Sequence, residues 1–295
     1  MGYDLEFHGG RTRGLRRAAF EAWFRDRPNY IAADDGAAAY ENDDTGVYFR
    51  FEFRPRDDGP RPLPVASFRI NYGRPHVFGL EAEPELAAFV GHFGFAVDDP
   101  QIHGMGYGRY SREGFLRPWN HGNAFSYETV ADGGFVHGDH CLPAATIGRV
   151  WRWNFGRSTL LDRRDGAPYV PTIMYVEHAG KPVTCGWWQD GSRTVFPETE
   201  YIVACRGNPA SGDADARHLT LVPFADLLPL LGDHGTRSIN GLTCRVPPGG
   251  EPGEAVLRWF RNLVPAVDDL RPIPFETVLD EETMQAARER LRRRK

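Results

Sequence analysis

Hydrophobic and polar positions alternate at the start of the chain, where "YDLEF" (Tyr3–Phe7) has the two-residue period of a strand. The period then lengthens. In "GLRRAAFEAWFRDR", Leu15, Ala18, Ala19, Ala22 and Trp23 share one side at helical spacing, and Pro28 follows as a stop signal. Short aromatic and β-branched runs come next, "AAAYE", "GVYFRFEF", "VASFRINY" and "HVFGLEA", bounded by Gly, Pro and Asp as antiparallel strands are. "EPELAAFVGHF" predicts a second helix with Pro84 in its first turn, where a missing N–H costs nothing.

Further along, "LPAATIGRVWRWNFGRSTLLDRR" predicts a long amphipathic helix with Ile147, Trp151, Ser158 and Leu161 near one face. The segment from Tyr169 to Arg206 reads as a β-meander with turns at His178–Lys181 and Asp190–Arg193. Helical runs around "FADLLPLLG", "GEAVLRWFRNLV" and "EETMQAARERLRRRK" complete the chain, the last with acids in its first turn and arginines in its last. Strands and helices come in separate runs, so the expected class is α+β with mostly antiparallel sheets and packed helices. "ADGGFVHGDH" (Ala131–His140) is the expected boundary between two halves, residues 1–132 and 141–295. "RPRDDGPRPLP" and "RGNPASGDADAR" read as exposed loops.

Composition narrows the partners. With 295 residues, 41% of them hydrophobic and 13% aromatic, the chain can bury a sizeable core. Its net charge is −5 and its only basic block is the last few residues, which excludes nucleic acid as the main ligand. There is no apolar leader and no uncharged run long enough to span a bilayer, so the expectation is a cytoplasmic protein without a membrane partner. Cys141, Cys185, Cys205 and Cys244 lie far apart without a C-x-x-C pair and read as reduced thiols.

The stretch "YENDDTGVYFRFEF" places Glu41, Asp43, Thr45, Gly46 and Glu52 at the spacing of a calcium-binding EF-hand loop. An EF-hand loop leads into a helix, whereas Val47, Phe49, Phe51 and Phe53 alternate with polar residues, so the acidic end predicts a turn into a strand. Together with "RINYGRPHVFGLEAEPE", "WRWNFGR" and "PFETVLDEE", this stretch resembles an uncharacterised bacterial protein family of unknown activity. In general shape the chain is also similar to the immunity proteins that neutralise bacterial toxins. That resemblance implies a protein partner, a toxin or other defence component.

The candidate chemistry is sparse. His137, Asp139, His140 and Cys141 in "HGDHC", with His103 and His121 upstream, are good ligand types for zinc, but no recognised ligand spacing joins them. No G-x-S-x-G elbow occurs, and the acid pairs Asp98–Asp99 and Glu198–Glu200 read as solvated strand ends. "GMGYGRYSREG" lacks the order of a phosphate loop. The sequence therefore predicts no catalytic residue, no metal and no cofactor. Gln101–Asn123, "QIHGMGYGRYSREGFLRPWNHGN", shows no sustained apolar period and mixes glycine with Tyr, Trp and Arg, as recognition loops do. Tyr107, Arg109, Tyr110, Trp119 and His121 are the expected binding residues. The function this suggests is protein binding, as an immunity-like or defence-associated component. Two alternatives stand beside it, a hydrolase with a site in a cleft between the halves near His137–His140, and a structural subunit of a larger assembly.

Overall fold

The structure is a computed structural model that describes residues 2–9, 15–33, 36–55, 63–134, 140–160, 167–207, 218–232, 234–239, 242–249, 252–264 and 270–294. Leu161, His137, Asp139 and most of the two expected loops lie outside these residues. The chain forms an α+β fold with mostly antiparallel sheets. It divides into two units, residues 1–147 with 276–295, and residues 148–275. This differs from a break between 132 and 141 that leaves the C-terminus with the second half.

The first unit opens with β1 (Gly2–His8), α1 (Arg17–Phe24), β2 (Tyr30–Ala33), β3 (Ala37–Asn42), β4 (Val47–Phe53) and β5 (Ala66–Asn71). It continues through α2 (Val77–Phe93), β6 (Ala96–Asp99), β7 (Gly106–Gly108), α3 (Arg112–Thr129) and β8 (Cys141–Leu142). The boundary between the units falls within α4 (Ala144–Leu160). Seven strands form one sheet in the order β2-β3-β4-β5-β1-β6-β7, with every pairing antiparallel. Alternation sorts the faces: Tyr3, Leu5, Phe7, Val47, Phe49, Phe51 and Phe68 are buried. They meet Phe89 of α2 and Phe115 of α3, with ring centroids 4.7 Å apart for Phe51–Phe89 and 5.9 Å for Phe68–Phe115. Each such ring contributes about 1.5–3 kcal/mol through burial. The opposite face carries Asp4, Glu6, His8, Arg50, Arg69, Asp98 and Tyr107, all partly or fully exposed.

The turn between β3 and β4 is the acidic stretch of the sequence, and it is structural. Asn42 Oδ1 accepts the Asp44 N–H (3.1 Å), the Asn42 carbonyl accepts the Gly46 N–H (2.7 Å), and Gly46 takes a positive φ of 69°. Tyr40, Asn42 and Thr45 then donate to Glu81 Oε1 at 2.8, 2.7 and 3.0 Å, which fastens the turn to α2.

Two helices differ from the sequence reading. "HVFGLEA" is the start of α2, not a strand, so Pro84 lies in the helix interior instead of the first turn. Residues of α2 from Val77 to Val90 are buried on several sides, which erases the one-sided apolar stripe that marks a helix in sequence. Most of the stretch read as a recognition loop is α3, capped by Ser111, whose Oγ accepts the Gly114 N–H at 3.1 Å. Its glycines serve close approach: a Cβ on Gly122 would stand 2.3 Å from the Tyr72 ring.

The C-terminal elements complete this unit. β17 (Leu279–Asp280) pairs in parallel with β8, and α7 (Glu281–Arg294) packs on α3 around Tyr127, Met284 and Ala287. Arg290 and Arg294 both donate to the buried Glu128 at 2.6 Å. Asp280 accepts the Tyr127 hydroxyl (3.0 Å) and the His76 N–H (2.8 Å).

The second unit contains β9 (Met174–His178), β10 (Lys181–Gln189), β11 (Phe196–Pro197), β12 (Tyr201–Arg206), β13 (His218–Pro223) and α5 (Phe224–Leu227). β14 (Gly235–Ile239), β15 (Leu242–Val246), α6 (Glu254–Arg261) and β16 (Pro272–Ile273) follow. The hairpin β9–β10 turns on Ala179 and Gly180, with φ of 50° and 74°, the primed geometry that suits strand twist. The meander stops there, because β10 pairs with β12 in parallel, and β11 joins β14 and β15 in a separate sheet. The tryptophan pairs divide as alternation and helical phase require: Trp153 and Trp188 are 1% exposed, while Trp151 and Trp187 are half-buried. Among the described residues no helix is long and apolar enough to cross a membrane.

Candidate functional site

The segment 99–109 leads from the sheet into α3, and Asp99 fixes its shape. Only 2% exposed, Asp99 accepts the Tyr3 hydroxyl (2.5 Å), the Gln101 N–H (3.1 Å) and the Met105 N–H (3.0 Å). Gly104 sits against this carboxylate, where a Cβ would stand 2.5 Å from its atoms. The backbone is thus tied down while the side chains it carries point outward. Ile102 is 95% exposed and Tyr107 69%, and His103 stacks edge-on against His121 of α3 with ring centroids 4.2 Å apart. Helical spacing sets Glu113, Arg117, His121 and Phe125 in one exposed stripe, with Phe125 54% exposed.

Of the five expected binding residues, Tyr107, Arg109 and His121 are exposed. Tyr110 is half-buried, and its hydroxyl donates to Glu83 Oε1 at 3.0 Å; burial and this carboxylate push its pKa above the usual tyrosine range. Trp119 corrects the sequence reading. It is 0% exposed and packs against Gly79 of α2, where a Cβ would stand 2.8 Å from the indole. A helical phase through "EGFLRPWNHGNAF" puts Phe115 and Trp119 on the inner side and Arg117, His121 and Phe125 on the outer. That phase was the signal available in the sequence, and Gly114, Pro118 and Gly122 obscured it.

On the polar face of the seven-stranded sheet, opposite the aromatic core, β1 and β6 bring Asp98 beside Glu6 and His8, from which it is remote in sequence. Glu6 and His8 are two apart on β1, and Asp98 lies opposite Glu6 in the register. His8 Nε2 is buried without a hydrogen-bond partner among the described residues, 4.0 Å from Glu6 Oε2 and 3.9 Å from Asp98 Oδ2. The Tyr107 ring closes one side of the imidazole, its centroid 5.7 Å away.

Among the described residues, the other sequence candidates form no further cluster of metal-ligating groups. His140 and Cys141 are half-buried, with His137 and Asp139 outside the described residues. None of the four cysteines is in a disulfide. Burial pushes the Cys185 thiol up to about 12 and raises that of Cys244, which keeps both protonated. In the second unit a cavity of about 360 Å³ is lined by Phe196, Glu198, Glu200, Phe224, Cys244 and Arg245, among others. Among the described residues no histidine lines it, and Glu200 Oε2 is already engaged by the Thr184 N–H (2.9 Å) and hydroxyl (3.1 Å). The Thr199 hydroxyl of the lining is likewise committed, donating to the Tyr201 carbonyl at 2.8 Å. Comparison of the chain with protein-family models, curated proteins and solved structures gave no match.

Proposed function

We propose that this protein acts by binding another protein, through the outer stripe of α3 and the 101–109 segment before it. The observation that supports this is a set of unpaired cations among exposed apolar groups. Arg109 and Arg117 are exposed and make no ion pair among the described residues, close in the chain to Ile102, Tyr107 and Phe125. Arginine and aromatic side chains dominate binding hot spots, and single exposed hydrophobes alone would need no explanation. On a chain of net charge −5, exposed cations without ion pairs favour a partner that is acidic where it meets them, because like charges elsewhere repel the wrong approach. In the same proposal the partner is a toxin or other defence component and the setting is the cytoplasm, as the resemblance to immunity proteins implies.

The test is capture from the native host with the parent protein and with an Arg109→Glu/Arg117→Glu double variant. An acidic protein retained by the parent should be lost about tenfold or more with the double variant, and also with Ile102→Asp. Equal retention by all three proteins counts against the surface. Recovery of nucleic acid in place of protein counts against the function.

A further inference from the structure

From the geometry of β1 and β6 we infer that Glu6, His8 and Asp98 form a binding site for a divalent transition-metal ion of the Zn²⁺ class. Three observations converge on it. First, Glu6 and Asp98 stand directly opposite each other on adjacent strands, a like-charge pair that destabilises a sheet unless a cation lies with it. The arginines of the same face are held elsewhere, Arg69 by Asp4 and Arg50 by Glu52. Second, His8 Nε2 is buried, has no hydrogen-bond partner among the described residues and faces both carboxylates at 3.9–4.0 Å, too far for a direct bond but right for a bridging species. Third, the three donor atoms lie within 4.8 Å of one another.

Donor atoms around a tetrahedral zinc with bonds near 2.0–2.1 Å stand about 3.4 Å apart, so closure on an ion requires shifts of less than about 1 Å. The carboxylates supply that freedom, each with 40% of its side chain exposed, while the imidazole is held between strands and against Tyr107 with 14% exposed. One imidazole with two carboxylates suits a borderline ion such as Zn²⁺; Mg²⁺ and Ca²⁺ prefer all-oxygen sites. Three protein ligands leave one position of a tetrahedral ion open to water or another ligand. The strands themselves are held by the apolar side of the same sheet, so the donors sit on a rigid support.

Chelator-treated protein titrated with Zn²⁺ alone, against a chromophoric competitor, measures the site. The expected result is one ion per chain, with affinity reduced at least about a hundredfold in His8→Gln and again in Asp98→Asn, both with unchanged circular dichroism. Should His8→Gln misfold, Asp98→Asn and Glu6→Gln carry the same test from the half-exposed side. Zinc should raise the melting temperature of the parent and leave that of the variants unmoved. Absence of one-to-one binding in the parent, binding that survives both substitutions, or binding abolished by His140→Gln alone would each overturn the assignment.

Discussion

Glu81 is 1% exposed, yet its Oε1 receives hydrogen bonds from Tyr40, Asn42 and Thr45, so this one oxygen fixes the β3–β4 turn on α2. Replacing Glu81 with Gln keeps one acceptor oxygen but removes the charge that strengthens these three bonds, and should lower unfolding free energy by about 1–3 kcal/mol. Urea denaturation would show this as an earlier midpoint at constant slope, and an unchanged midpoint would mean that the turn does not depend on this oxygen. The thiols give a second residue-scale expectation. With its pKa pushed up to about 12, Cys185 carries only ~10⁻⁴ thiolate at pH 8 and should resist alkylation in native protein. Mass spectrometry after timed exposure to iodoacetamide checks this; early modification of Cys185 would place it at the surface. The inward phase of Val47, Phe49 and Phe51 was legible because its period is local. The part played by Glu81 was not, since its partners stand 36, 39 and 41 positions away.

α2 and α3 show at the level of elements why some of the sequence was opaque. Glycine in a helix lowers its propensity by about 1 kcal/mol, so "HVFGLEA" and "REGFLRPWNHGN" read as something else. Two of those glycines, Gly79 and Gly122, are there because another side chain occupies the space a Cβ would need. The propensity cost is real and tertiary packing outweighs it. Gly79→Ala, with a Cβ 2.8 Å from the buried Trp119, should destabilise by about 1–3 kcal/mol despite its better propensity. Gly91→Ala on the same helix meets no atom within 4 Å and should stabilise by up to about 1 kcal/mol. Thermal melts of the two variants against the parent should therefore move in opposite directions. The same logic governs the metal-site proposal: Glu6 and His8 are visibly two apart, but only strand register brings Asp98 to them.

At the scale of the whole molecule, buried tyrosines set an alkaline limit on the stability of the first unit. Tyr3, Tyr30, Tyr40, Tyr110 and Tyr127 all lie in the first unit, and burial raises the pKa of each above the ordinary tyrosine value, with a neighbouring carboxylate reinforcing it. Tyr3 meets Asp99, Tyr30 meets Glu85, and Tyr110 meets Glu83. A raised pKa means that the folded state holds the phenolic proton more tightly than the unfolded chain does. The resulting stability is complete below the unfolded value near 10 and falls as pH rises above it, by about 1.4 kcal/mol per unit for each tyrosine that stays protonated. Denaturant unfolding of the first unit should thus be unchanged between about pH 7 and 9 and weaken steeply above pH 10. Ultraviolet absorbance of phenolate supplies the independent reading: these side chains should ionise together with loss of the sheet's circular dichroism. Ionisation of all tyrosines near pH 10 with the dichroism intact would show that their hydroxyls are accessible in the folded state, and the aromatic core would then be packed otherwise.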